Sequence, residues 1–266
     1  MAERRTFRVL STRAPIDTLV SYQTDAKSLV TDNASWIGTH HVDGSAFVDE
    51  VVDPFDAVLD AAATMSKEVA EALAATQYQD SVLAQAAALA SALRKRGEFI
   101  ASEMDRKEDD RIEAPKVRSA CGVGSRVNIK RQTGLRRLLM IQQAGLGRLE
   151  ALWAKWNPPV PGEPTDKERV SQALAHIETA IKSQAKEQLE SQMAADELED
   201  RVLLGVDSMN RVIRLVNSVT GEIPAELQAG LESLETQHPG VFWATGDPEE
   251  PSAPPTPIPD PDRPMD

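Results

Sequence analysis

The chain is short of the residues on which compact catalytic domains usually rely. Its 266 residues include one cysteine, four histidines and only 4% aromatics. The single Cys121 excludes an internal disulfide framework and suits a reducing compartment, so a cytoplasmic location is expected. Few aromatics leave little bulky volume for a wide core. Such chains bury narrow apolar stripes between helices instead. No run approaches the ~20 consecutive apolar residues of a membrane span, so no membrane partner is expected. Arg4, Arg5, Thr6 and Phe7 resemble the start of a twin-arginine export signal. Ser11, Thr12, Arg13 and Asp17 interrupt the apolar stretch that should follow, and export is not predicted.

The residues able to carry chemistry are poorly arranged for it. His40 and His41 are adjacent, so their side chains diverge. Neither they nor His176 and His238 fall in the Glu-x-x-His spacing of di-metal bundles. One cysteine does not complete a zinc set. Cys121 lies in a basic, glycine-rich turn, a setting that lowers a thiol pKa, but no histidine is near in sequence. The turn also lacks the Gly-Lys-Ser/Thr ending of a phosphate loop. No enzyme activity, cofactor or metal is expected.

Charge is abundant and uneven. Forty-two acids against 29 bases give a net charge of −13. Residues 43–80 hold nine acids and one base, Lys67. Residues 114–149 hold no acid and eight bases: Lys116, Arg118, Arg126, Lys130, Arg131, Arg136, Arg137 and Arg148. These eight are the candidate partner-binding residues. In one reading they receive an anion, either nucleic-acid backbone or an acidic protein, with backbone N–H groups of the 122–125 turn assisting. In the other, the chain folds back and Glu103, Asp105, Glu108, Asp109, Asp110 and Glu113 neutralise them internally. The second reading is favoured, because a hairpin is the simplest connection.

Apolar periodicity predicts the fold. A helix follows Pro15, and residues 33–44 read as a loop. A seven-residue repeat runs over 55–104. One position carries Phe55, Ala62, Val69, Thr76, Leu83, Ala90, Gly97 and Met104; the other carries Val58, Met65, Ala72, Gln79, Ala86, Leu93 and Ile100. Pro54 and Pro115 bracket it. A second, medium helix is expected over about 126–156, with Leu135, Leu138, Leu139, Leu146 and Trp153 on its buried face. Four prolines then mark a linker. Thr165 and Glu168 form a capping box that opens a third helix, long and polar at its centre, which Gly221 stops. Pro224 starts a short helix. Residues 246–266 hold eight prolines, six acids and one base, a composition that forms no core.

The expected fold is all-α: an elongated antiparallel helical bundle or coiled coil with two long helices, one medium helix and short terminal helices. Residues 1–44 form an arm and short helix, 45–236 the bundle, and 237–266 an acidic, proline-rich tail. The medium helix is too short to cover both long ones, so part of each seam is left for another copy or another helical protein. The expected function is a non-enzymatic structural or scaffolding protein that assembles through its long helices. The alternative is an adaptor that grips an anionic partner through residues 116–148, with nucleic acid possible but not favoured.

Overall fold

Leu10 ties the first described residues to the last. In the computed structural model, which describes residues 6–242, Leu10 forms a single antiparallel bridge with Phe242, and Ser11 N donates to Val241 O at 2.7 Å. Between these points run eight α-helices: α1 (Ile16–Asp32), α2 (Ala34–His40), α3 (Ser45–Asp105), α4 (Ala114–Ala120), α5 (Gln132–Arg148), α6 (Glu150–Trp156), α7 (Asp166–Ser218) and α8 (Ala225–Gln237). The described residues form an all-α helical bundle whose two long helices, α3 and α7, pack against each other. They fall into two compact units, residues 6–63 with 197–242 and residues 64–196. Of the tail expected over 237–266, residues 237–242 are described and belong to the first unit: Gln237 ends α8, and Val241 and Phe242 are buried; the rest lies outside the described residues.

In the first unit, α1, α2, α8 and residues 45–63 of α3 and 197–218 of α7 enclose Tyr22, Phe47, Phe55, Ile37 and Val212. The scarce aromatics concentrate here. Tyr22 meets His238 and Phe242 edge-on, each with ring centroids 5.6 Å apart. Burial, then the nearby Glu235 charge, pushes its hydroxyl pKa well above the ordinary tyrosine range. The residues 33–44 expected as a loop contain α2. The chain reverses after it at Gly44, where φ is +62°, a conformation that costs other residues a Cβ clash. The structure also corrects the start of the long helix. It begins at Ser45, and Pro54 lies inside it. Pro54 has no N–H to offer the preceding turn. Burial of Phe47, Val51, Phe55 and Val58 on the same face offsets that loss.

In the second unit, α4, α5 and α6 pack on the C-terminal part of α3 and the start of α7. The core is Leu93, Ile100, Met104, Leu135, Leu138, Leu139, Leu146, Trp153, Val170 and Ile177. Gln142 is fully buried within it, and its amide donates to Ala90 O at 2.9 Å and Cys121 O at 3.0 Å. The capping box forms as expected. Thr165 N donates to Glu168 Oε2 at 2.7 Å, and Glu168 N donates to Thr165 Oγ1 at 3.3 Å.

The heptad of α3 is buried at its two ends and thins between them. Val69 is 47% exposed, and no residue in 59–74 is buried. The same holds for 181–193 of α7. The two polar centres meet in the second unit, where Gln184 Nε2 donates to Thr76 Oγ1 at 3.3 Å.

The medium helix expected over 126–156 is divided. Residues 126–131 are non-helical, α5 begins at Gln132, and Leu149 separates α5 from α6. The reason is a local change of period. Val127 and Ile129 are half-buried against the core while Arg126, Asn128 and Lys130 face solvent. That alternation of two belongs to extended backbone.

Candidate functional site

The eight cations of the basic segment divide by partner. Arg118 pairs with Glu98 at 3.2 Å and Asp105 at 2.6 Å, and Lys116 pairs with Glu113 at 2.8 Å. The carboxyl of Glu178 is held below its ordinary range by Lys182 first and by the Arg136 charge last. Arg126, Lys130, Arg131, Arg137 and Arg148 are exposed and form no ion pair with a described residue. Internal compensation therefore reaches the start of the segment and leaves its α5 end largely open.

The 122–125 turn does not present the array of N–H groups expected of an anion cradle. Gly122 N, Val123 N and Ser125 N donate to Ser119 O, Arg118 O and Gly122 O. Its carbonyls face a cation of the chain itself: Arg94 donates to Gly122 O at 3.0 Å and Ser125 O at 3.3 Å. Cys121 beside it is buried. Burial first and Asp166 second push its thiol up to about 12, the reverse of the shift a basic turn would impose.

Two of the open cations, Arg137 and Arg148, line a groove between α4 and α5. Its volume is about 780 Å³. The two helices approach closely because α5 carries Gly145 where it crosses α4. A Cβ there would fall against the Ala120 backbone. With Leu135, Leu138, Leu139 and Leu146 turned into the core, the outer face of α5 shows Arg137, Met140, Ile141, Ala144 and Arg148. Met140 is 60% exposed. Lys116 lines the α4 side, and Leu149 extends the apolar floor. No carboxylate lines the groove. Sequence reasoning found its three cations but missed Met140 and Ile141. The signal was available: both lie off the leucine stripe that defines the buried face of α5.

Several other polar groupings are paired within the chain. The 158–164 linker borders a smaller cavity of about 320 Å³. There Arg169 pairs with Glu163 at 2.5 Å, Lys167 pairs with Glu150 at 3.1 Å, and Asp166 accepts from Trp153 Nε1 at 3.0 Å. Glu68, Glu187 and Glu190 bring carboxylate oxygens within 4.8 Å of one another. Lys67 reaches Glu68 at 3.4 Å, and Lys186 reaches Glu187 at 3.6 Å and Glu190 at 3.0 Å, so two of the chain's own cations offset part of their charge. His40 stacks on Trp36 and His41 on Phe47, which separates the adjacent pair. No helix among the described residues is long and apolar enough to cross a membrane.

Comparison with known proteins returned no matching family model, no matching curated protein and no matching solved structure.

Proposed function

We propose that this chain is a non-enzymatic interaction protein, a helical scaffold whose α4–α5 groove receives an anionic partner. One observation carries the reading: Arg137 and Arg148, which form no ion pair with a described residue, line an exposed apolar floor together with the Glu113-paired Lys116, with no carboxylate in the lining, on a chain of net charge −13. A purely solvated helix face would mix both signs. Salt screens fields beyond about 8 Å at physiological ionic strength, so the local cations outweigh the distant acids for a docked ligand. Retention on immobilised heparin at low salt tests the reading. Wild type should be retained despite a pI near 4.9, and Arg137→Glu with Arg148→Glu should abolish retention while leaving the thermal melt intact. A wild type that flows through, or a double variant retained equally, overturns it.

A second reading, assembly with another copy, has its own support. Val69, Leu73, Leu189 and Met193 are all exposed in stretches of α3 and α7 that bury no residue. Exposed apolar stripes of this kind favour burial in a partner helix. Light scattering should then give a mass above 29.0 kDa that Leu73→Asp with Met193→Asp returns to the monomer value. A monomeric wild type at high concentration and low salt removes this reading.

A further inference from the structure

The groove specifies more than negative charge. We infer that its occupant is an acidic amphipathic helix of a protein partner, an inference that rests on the anion-binding reading of the same groove.

Three features select that chemistry. First, the cations stand at the ends and side of the groove while its centre is apolar. Arg137 and Arg148 lie eleven residues apart on α5, about 16 Å along the helix axis. Met140, Ile141 and Leu149 lie between or beside them. A ligand that fits must therefore carry apolar groups flanked by anions over about three helical turns. Helices dock in this way, with an apolar stripe in the groove and charges at the rim. Second, two of the three cations are arginines. The guanidinium fork matches a carboxylate with two parallel hydrogen bonds, which fixes the position of each partner acid. Third, the lining contains no aromatic ring. Single-stranded nucleic acid binds largely through bases stacked on aromatic faces. A duplex would lay its sugar–phosphate backbone across Met140 and Ile141 and leave their apolar surface unmatched. At the Gly145 crossing α4 rests directly on α5, so the floor is a packed helix pair.

The test uses the full chain and defined probes. A labelled peptide of about sixteen residues, built from Leu, Ala and Glu, carries a leucine stripe with glutamates at both ends of it. A second peptide has the same composition with the stripe scrambled. An oligonucleotide and heparin serve as non-peptide anions. Fluorescence anisotropy reports binding. The striped peptide should bind at least about tenfold more tightly than the scrambled one, and both Arg137→Glu and Met140→Glu should weaken it by about tenfold or more. Thermal melts of both variants establish that they fold. If oligonucleotide or heparin binds as well as the striped peptide, and Met140→Glu changes nothing, the groove still takes anions but the helix inference fails. If no probe binds, the anion reading fails with it.

Discussion

Asn210 holds Leu10 by both of its backbone groups. Leu10 N donates to Asn210 Oδ1 at 2.6 Å, and Asn210 Nδ2 donates to Leu10 O at 3.2 Å. Asn217 does the same for Phe7, at 3.0 Å and 2.9 Å. The two asparagines are seven residues apart on α7, about 10 Å along the helix. Phe7 and Leu10 are three residues apart in an extended arm, about 10 Å by strand rise. The helix thus presents side-chain amides at the spacing of the arm's backbone and takes the place of a neighbouring strand.

Removing either amide strands backbone groups. Leu10 is 1% exposed, so Asn210→Ala leaves its N–H and C=O buried without partners. A cost of about 2–3 kcal/mol in urea unfolding is expected. Asn217→Ala should cost less, because its site is only partly buried. Equal and negligible losses would show that the arm contributes nothing to stability.

Burial along α3 orders a series of aspartate substitutions. Leu93 is 3% exposed, Leu83 is half-buried and Leu73 is 58% exposed. Leu93→Asp places a charge in the core and should cost more than about 3 kcal/mol. Leu83→Asp should cost less, and Leu73→Asp should stay within about 0.5 kcal/mol in the monomer. Equal effects at all three positions in thermal melts would contradict the thinning of the seam.

Two glycines of α5 should respond oppositely to alanine. At Gly145 the new methyl meets the Ala120 backbone, and overpacking of this kind costs about 1–3 kcal/mol. At Gly147 the nearest atom is Lys167 Cε at 3.7 Å, an ordinary contact. Gly147→Ala should therefore gain up to about 1 kcal/mol of helix propensity. The comparison is read from chemical denaturation of the two variants.

The capping box at the start of α7 carries a pH signature. Hydrogen bonds from the Thr165 backbone and side chain hold Glu168 below its ordinary pKa of 4.5. A depressed carboxyl stabilises the folded state fully above the unfolded pKa and loses that contribution as pH falls through the folded one. The stability gap between wild type and Glu168→Gln should thus be larger at pH 7 than at about pH 3. A gap that stays constant or widens on acidification would assign the cap to something other than the carboxylate.

The elements legible from sequence were those encoded locally. The seven-residue stripe marked α3, the Thr165–Glu168 pair marked the start of α7, and Pro15 and Pro224 marked the starts of α1 and α8. The polar centres of the two long helices were also visible, and Thr76 and Gln184 meet there. Each of these signals acts within one or two turns of helix or repeats along it, so no distant partner is needed to recognise it.

Tertiary structure decided the rest, because the outcome depended on groups far apart in the chain. Pro54 reads as a helix start until the buried face around Phe47 and Phe55 carries the helix through it. The basic segment divided according to which carboxylates lay within reach: Glu98 and Asp105 took Arg118, while Arg137 and Arg148 were left open. The groove forms where Gly145 lets α4 rest on α5 beside the exposed Met140, a crossing no local pattern announces. Asn210 and Asn217 read as polar residues of an ordinary helix until the arm, two hundred residues away in sequence, lies down along them. Periodicity specifies which face of a helix is buried; only packing brings the distant backbone or charge that gives a polar side chain its role.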